Sequence, residues 1–214
     1  MPTEGRRPGL AHHFESFEQQ HEAAMLGMWV FLVTEVLFFG TLFMAYTVYR
    51  WQYPDMFALG SRRLDVELGA LNTAVLLTSS LTMALAVRSA QLGRGKLAAV
   101  MVLLTIALGS VFLGIKLDEY HHKFVEGLVP GPGFTLAGRG AQLFFCLYFA
   151  MTGLHALHMV IGIGILIGVA IAAWTGRFSP EHHNFIEGTG LYWHFVDVVW
   201  IFLFPLLYLV GRHG

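Results

Sequence analysis

Residues 141–174 read AQLFFCLYFAMTGLHALHMVIGIGILIGVAIAAW, a run of 34 residues that contains no Asp, Glu, Lys or Arg. As a helix it would extend about 50 Å, whereas the hydrocarbon core of a bilayer is about 30 Å thick. We therefore predict a transmembrane helix that tilts or projects beyond the membrane. Gly162, Gly164 and Gly168 lie along it, and we expect these small residues to allow close helix packing.

Four further segments carry almost no charge, so the predicted fold is an all-α integral membrane bundle of five transmembrane helices. The segments are 25–48, with Glu35 as its one charge, 68–87, 97–115, and 189–210, with only Asp197. Each approaches the ~20 residues that cross a bilayer, and a helix satisfies its own backbone hydrogen bonds in lipid. We divide the chain into a polar cytoplasmic N-terminal segment, 1–24, and a membrane domain, 25–211.

The composition agrees with a membrane protein and excludes several other classes. Hydrophobic residues make up 56% of the chain and charged residues 13%, and the net charge of −1 gives no reason to expect nucleic-acid binding. The single cysteine, Cys146, excludes an internal disulfide and a cysteine-based metal cluster. The short loop 88–96 is basic, so the positive-inside rule favours a cytoplasmic N-terminus and a periplasmic C-terminus.

Six polar residues in or beside the apolar segments are the candidate functional residues. They are Glu35, Glu119, His155, His158, His194 and Asp197. Ionisable groups at membrane depth are costly, so they normally face the protein interior and have a partner. The pairs His155/His158 and His194/Asp197 are each spaced i, i+3, which places both members of a pair on one helix face.

Several roles are compatible with these residues. Glu35 could relay protons, contact a lipid headgroup or anchor helices by hydrogen bonding. Glu119 and His122 have the Glu-x-x-His spacing of di-iron bundles, but such a site needs a second motif of this kind and two more acids. We therefore interpret them as polar residues at a helix end. We expect the histidine pair to link helices rather than bind a metal.

A polar stripe, Asn72, Ser79 and Ser80, recurs at helical spacing on the second predicted membrane helix. Such a stripe is more typical of helix packing than of a transport path. We expect these side chains to contact neighbouring helices.

Five blocks of sequence, taken in order, resemble subunit III of haem–copper terminal oxidases. They are 26–40 (LGMWVFLVTEVLFFG), 71–80 (LNTAVLLTSS), 112–120 (FLGIKLDEY), 153–162 (GLHALHMVIG) and 193–200 (WHFVDVVW). The resemblance covers residues 20–211 without large gaps. Long members of this family have seven helices, whereas this chain is similar to the short five-helix form of bacterial cytochrome c and quinol oxidases.

The resemblance implies a subunit that binds no haem or copper and packs beside catalytic subunit I and subunit II in the bacterial cytoplasmic membrane. It implies support of proton uptake and protection of an oxidase that reduces dioxygen to water with cytochrome c as donor. A larger respiratory supercomplex is a further implied partner. Position by position, Glu35 corresponds to the family's buried acid, and we expect Glu35, His158 and His194 to form the interior network. The family's intramembrane polar positions correspond to Glu119, His155, His158, His194 and Asp197.

Long family members hold phospholipids in a V-shaped cleft that their first two helices help to form. Because this chain lacks those helices, a phospholipid here is expected to need a neighbouring subunit to complete its site.

Other functions stay open at this point. One is subunit III of a quinol oxidase or of a homologue associated with nitric oxide reductase. A second is a stand-alone membrane di-iron enzyme that uses Glu35, Glu119, His122 and the His155/His158 pair, which predicts iron in the isolated chain. A third is a small transporter with Glu35 and Asp197 as coupling acids, although the sequence has no inverted repeat.

Overall fold

The computed structural model describes residues 16–136, 138–175 and 184–212. Its α-helices in chain order are α1 (Phe17–Gln52), α2 (Pro54–Arg62), α3 (Val66–Gln91), α4 (Gly95–Val125), α5 (Arg139–Trp174) and α6 (Asn184–Phe204). A π-helical turn, Pro205–Leu209, and a 3-10 turn, Val210–Arg212, continue α6. The described ranges contain no strand.

Five helices, α1 and α3 to α6, are long and apolar enough to cross a bilayer. This confirms the predicted all-α membrane bundle. Most of the predicted polar N-terminal segment, residues 1–15, lies outside the described residues, and α1 begins at Phe17. At 36 residues, α5 is two residues longer than the 34-residue uncharged run, so it exceeds the thickness of the hydrocarbon core, as predicted.

The structure has additional helix in two stretches between the predicted membrane segments. The short helix α2 occupies part of the stretch between α1 and α3. The predicted segment 97–115 ends ten residues too early, because α4 continues to Val125. Lys116 does not end the apolar helix, since Glu119 one turn later neutralises its charge. The helix ends instead at Val125, and two residues later Gly127 has a φ of +68°, a left-handed conformation that favours glycine.

The core lies between α3, α4, α5 and α6. The hairpin of α3 and α4 forms the most extensive helix contact, and α5 and α6 pack against it. The buried Trp193 ring of α6 fills the centre, between Gly109 of α4 and Gly162 of α5. A β-carbon would come within 2.8 Å of this ring at Gly109 and 3.0 Å at Gly162, so both glycines permit the close approach.

The expected packing role of the α5 glycines is confirmed for Gly162 and wrong for the other two. A β-carbon at Gly164 or Gly168 would meet nothing within 4 Å in this chain. These two positions therefore do not bring helices of this chain together.

Helix α1 is the least buried span and packs on α5 and α6 at the outside of the bundle. The chain's C-terminal turns return to it. Pro205 has no N–H to donate, and the backbone widens there into the π-helical turn. The Tyr46 hydroxyl donates to the carbonyl of Leu206 over 2.8 Å. Arg62 Nε donates to the carbonyl of Gly211 over 2.9 Å, which fixes the 3-10 turn to α2.

Candidate functional site

Glu35 of α1 and His158 of α5 form a polar pair inside the apolar part of the bundle. Glu35 Oε2 lies 3.1 Å from His158 Nε2, and the two side chains are 18% and 14% exposed, respectively. His158 Nδ1 lies 2.8 Å from the carbonyl of Leu154. Tyr192 of α6 donates its hydroxyl to the carbonyl of His158 over 3.0 Å. The pair thus joins α1 to α5, and the tyrosine joins α5 to α6.

The hydrogen bonds define where protons reside in this pair. A carbonyl oxygen only accepts, so His158 Nδ1 carries a hydrogen directed at Leu154. A hydrogen bond between Nε2 and the carboxyl therefore needs one further hydrogen between these two atoms. The bond gives both polar groups a partner, which lowers the cost of their position in the membrane.

A cleft with a volume of about 680 Å³ opens beside this pair, between α1, α5 and α6. Its lining residues are Gln20, Ala24, Met25, Met28, Phe31, Glu35, His158, Ile161, Ile165, Phe185, Gly188, Thr189 and Tyr192. The walls are mainly apolar, and the Glu35–His158 pair is the ionisable part of the lining. The cleft thus combines an apolar wall with one hydrogen-bonded polar pair.

A second polar cluster surrounds Lys116 of α4, deep between α4, α5 and the π-helical turn. Lys116 Nζ lies 2.9 Å from Glu119 Oε2 and donates to Tyr208 over 2.8 Å and to Tyr148 over 3.3 Å. Both tyrosines donate to Glu119, Tyr208 over 2.7 Å and Tyr148 over 2.9 Å. The two charges are therefore paired and hydrogen-bonded, as buried charges require.

Aromatic rings enclose the Lys116 ammonium. Its nitrogen lies 5.1 to 5.5 Å from the ring centroids of Trp200, Tyr148, Tyr120 and Tyr208. At these distances the ring faces attract a cation. The cluster is a closed charge-neutral unit that contains no free acceptor for a substrate, and its geometry favours a structural role for Glu119.

His194 and Asp197 of α6 belong to a third group. His194 Nδ1 lies 2.7 Å from the Ser80 hydroxyl of α3. Asp197 is 3% exposed, and within the described ranges neither of its carboxyl oxygens has a hydrogen-bond partner. Of the expected network of Glu35, His158 and His194, only the Glu35–His158 contact is therefore present. His194 bonds to Ser80 instead.

His155 is buried and faces the core. Its Nε2 donates to the carbonyl of Val196 over 3.1 Å, and its ring packs against Phe112 and Trp200 at centroid distances of 5.4 and 5.3 Å. The expected role of the histidines as links between helices agrees with this geometry. Burial among aromatic rings gives His155 no access to solvent.

Two members of the polar stripe, Ser79 and Ser80, also link helices, as predicted. Ser79 accepts a hydrogen bond from Trp193 Nε1 over 2.8 Å, and Ser80 contacts His194. Asn72 is fully buried, and its amide has no hydrogen-bond partner among the described residues.

Within the described ranges, no three His, Cys, Asp or Glu side chains converge on a point that could hold a metal ion. The set proposed for a di-iron centre is divided among different places. Glu35 pairs with His158, Glu119 pairs with Lys116, and His122 is an exposed residue beside Asp118. The geometry therefore gives no support to the di-iron alternative.

The sequence interpretation missed Lys116, Tyr148 and Tyr208 as members of a buried site. Opposite charges at i, i+3 directly after an uncharged run were the available signal for Lys116, because such a pair can enter a membrane without net charge. Tyr148 and Tyr208 stand among many aromatic residues, and only tertiary structure distinguishes them.

Comparison with known proteins now adds to this geometry. The sequence profile of the family described as cytochrome c oxidase subunit III matches residues 11–212. The chain belongs to this family. Subunit III relatives of two kinds, cytochrome c oxidases and quinol oxidases, are similar to it over nearly their whole length.

Three relatives illustrate the range of the family. Quinol oxidase subunit 3 of Bacillus spizizenii is 34% identical over 89% of this chain and 88% of the relative. Cytochrome c oxidase subunit 3 of Alkalihalophilus pseudofirmus is 31% identical over 96% of both chains. Cytochrome bo(3) ubiquinol oxidase subunit 3 of Pseudomonas aeruginosa is 30% identical over 94% of this chain and 92% of the relative. The chain is thus a multi-pass membrane subunit III of a haem–copper oxidase.

Proposed function

We propose that this subunit supports proton uptake by a haem–copper oxidase and stabilises the catalytic subunit, without a redox centre of its own. The observation that carries the proposal is the Glu35–His158 pair, 3.1 Å apart at the edge of a cleft. A carboxyl and an imidazole at this distance can pass a proton from one to the other, and the net charge of the pair does not change in that step.

The orientation fits uptake from the cytoplasm. The basic loop between α3 and α4 lies on the same side of the bundle as the start of α1, and the positive-inside rule favours the cytoplasm for that side. Gln20, Ala24 and Met25 of the cleft belong to this end of α1. The C-terminal turns are then periplasmic, in a bacterial cytoplasmic membrane.

The proposed partners are catalytic subunit I and subunit II, in a complex that reduces dioxygen to water with cytochrome c as donor and that can join a larger respiratory supercomplex. A quinol oxidase is the second candidate. The relative from Bacillus spizizenii, 34% identical, is named for quinol, and the relative from Alkalihalophilus pseudofirmus, 31% identical, for cytochrome c. Two identities this close do not separate the donors.

The first test is a Glu35→Gln variant of the purified complex. Glutamine keeps the size of the side chain but cannot share a proton with His158. We expect lower turnover or a shorter catalytic lifetime, with normal assembly. Glu22→Gln is the control, because Glu22 is an exposed acid on the same helix. Unchanged turnover and lifetime in Glu35→Gln would overturn the proton-supporting role.

A second test concerns the partners and the donor. The tagged chain is purified from its native membrane in mild detergent, and the eluate is analysed by visible spectroscopy and metal analysis. Haem and copper that arrive with larger proteins would support the proposed complex, and the haem types would separate the two donor classes. A chain that elutes alone under these conditions would overturn the proposal.

A phospholipid is proposed as an occupant of the cleft, with its acyl chains along the apolar wall. Support comes from the 680 Å³ volume, which α1, α5 and α6 enclose without the two further helices of long family members. Ile165→Trp should fill the cleft and reduce the lipid that native mass spectrometry finds bound to the complex. Ile167→Trp is the control, because Ile167 is exposed and outside the cleft. Equal lipid in both variants would contradict the assignment.

A further inference from the structure

Asp197 is the one buried acid whose carboxyl oxygens both lack a hydrogen-bond partner in the described part of the chain. Its side chain is 3% exposed. Glu119 is equally buried, but a lysine and two tyrosines satisfy it. The proton-sharing pair of Glu35 and His158 lies on α1 and α5, and Asp197 takes no part in it. Asp197 therefore needs an explanation of its own.

The surroundings of Asp197 decide its chemical form. The Asp197 side chain is almost fully buried, and among the described residues its carboxyl oxygens have no hydrogen-bond donor and no ion-pair partner. An unpaired carboxylate in such a place costs far more free energy than the neutral acid. The geometry thus calls for a proton on Asp197.

A polar route connects this acid to a surface pocket. The Ser80 hydroxyl lies 2.7 Å from His194 Nδ1, and His194 and Asp197 are spaced i, i+3 on one face of α6. His194 lines a pocket of about 350 Å³ between α1, α3 and α6. At the mouth of that pocket, Gln91 Nε2 donates to Glu187 Oε1 over 2.7 Å, and Glu187 is in the first turn of α6. A hydroxyl and an imidazole can both donate and accept, as proton transfer requires.

The positions along α6 give the depth of the route. Glu187 and Asp197 are ten residues apart, which is about 15 Å along a helix and about half of the hydrocarbon core. His194 stands one turn before Asp197, between the mouth and the acid. The mouth is on the side of the bundle that holds the loop between α3 and α4.

We propose that Asp197 is a proton-binding site, filled from the cytoplasmic surface through the pocket at Glu187 and then through His194 and Ser80. The route ends at Asp197, because both carboxyl oxygens are otherwise unpartnered. Asp197 thus stores one proton, and this site is distinct from the pair of Glu35 and His158. The inference rests on the proposed role in proton uptake, to which it adds a second site with its own entry.

Infrared spectroscopy of the purified complex in membranes tests this site directly. A protonated carboxyl has a C=O stretching band above the amide region, and the band shifts when the proton is exchanged for deuterium. The wild-type spectrum minus the Asp197→Asn spectrum should contain one such band. If the Asp197→Asn complex assembles and the difference spectrum contains no such band, the proposal is overturned.

The route is tested with Ser80→Ala, which keeps the acid in place. The band should persist, and its exchange in deuterated buffer should slow by about tenfold or more because one proton-transfer group is lost. Because Ser80→Ala keeps Asp197, this variant still tests the proposal if Asp197→Asn fails to assemble. Thr78→Ala is the matched control, because Thr78 is exposed on α3 and bonded only to its own helix at Ala74. Exchange at the wild-type rate in Ser80→Ala would overturn the route.

The outcome is independent of the Glu35 experiment. Turnover and lifetime report the proposed function, whereas the infrared band reports the resting protonation of Asp197. Glu35→Gln should leave the Asp197 band and its exchange rate unchanged. If that substitution removes the band, the assignment to Asp197 is overturned, while the proton-supporting role of Glu35 stands.

Discussion

Lys116 and Glu119 form a 2.9 Å ion pair inside the bundle, one turn apart on α4, with each side chain only 3% exposed. Tyr148 of α5 and Tyr208 of the π-helical turn bind both charges. Charge-assisted hydrogen bonds of this kind are stronger than neutral ones. The pair therefore holds three parts of the chain together at the end opposite to the loop between α3 and α4.

Removal of one charge from this pair should destabilise the subunit more than removal of both. Glu119→Gln leaves the Lys116 ammonium buried without a counter-charge, and we expect a loss of about 3–5 kcal/mol in the free energy of unfolding. Lys116→Met should cost a similar amount. The double variant should recover a large part of the loss, because it leaves no isolated charge. Thermal unfolding of the purified complex in detergent provides the measurement.

The neighbouring pair of Lys123 and Glu126 is a matched control for this prediction. It has the same 2.9 Å distance and the same spacing on the same helix, but Glu126 is 48% exposed. Exposed ion pairs contribute little, so Glu126→Gln should cost less than about 1 kcal/mol. Equal losses in Glu119→Gln and Glu126→Gln would show that burial does not set the strength of the pair.

Gly109→Ala should destabilise the contact between α4 and α6. The added carbon would lie 2.8 Å from the Trp193 ring, so the ring or a helix must shift, at a cost of about 1–3 kcal/mol. Gly114→Ala is the control on the same helix, because nothing lies within 4 Å of its β-carbon. There alanine should be neutral or stabilising, since it favours the helix by about 0.5–1 kcal/mol. The same melting temperature for both variants would contradict this account.

Ser79→Ala should lower stability by about 1–3 kcal/mol, because it leaves the Trp193 Nε1–H buried without an acceptor. Ser110→Ala is the comparison, since Ser110 bonds only to the carbonyl of Ile106 on its own helix and is exposed. Unfolding curves of the two variants check the difference. A Ser110→Ala loss as large as that of Ser79→Ala would argue against a specific role of the indole bond.

Tyr46→Phe should loosen the C-terminal turns. It removes the 2.8 Å hydrogen bond to the Leu206 carbonyl while it keeps the aromatic ring in place. We expect a loss of about 1 kcal/mol and faster hydrogen exchange at residues 205–211. Tyr49→Phe, at an exposed position of the same helix, should change neither quantity. Unaltered exchange in Tyr46→Phe would show that other contacts hold the turns.

The sequence predicts the number and type of helices well, because the uncharged runs are a direct consequence of lipid solvation. The uncharged segment 97–115 predicts the end of α4 too early, directly before Lys116, the first charge after it. Lys116 is compatible with a membrane helix because Glu119 neutralises its charge and tyrosines accept its hydrogen bonds. Periodicity carries no information about Tyr208, 92 residues away. Local patterns predict helices, but long-range pairing decided this helix end.

In the candidate site, too, local sequence reveals the polar residues but not their long-range partners. Glu35, His155, His158, His194 and Asp197 stand out in a sequence because ionisable residues are rare in apolar segments. Their partners do not follow from spacing. His158 bonds to Glu35 across 123 positions, and His194 bonds to Ser80 across 114. The neighbours of a residue on a membrane helix depend on the packing of the whole bundle. The division of the candidate residues into separate polar groups therefore does not follow from the sequence.

The bonds from Tyr46 to Leu206 and from Arg62 to Gly211 also affect biosynthesis. Leu206 and Gly211 are synthesised after α1 to α6, whereas Tyr46 and Arg62 precede α3. The end of the bundle at which these turns lie therefore closes only after α6 has been made. A chain that stops before Leu206 would lack both acceptors, the carbonyls of Leu206 and Gly211, and would leave this end of the bundle without its closing hydrogen bonds.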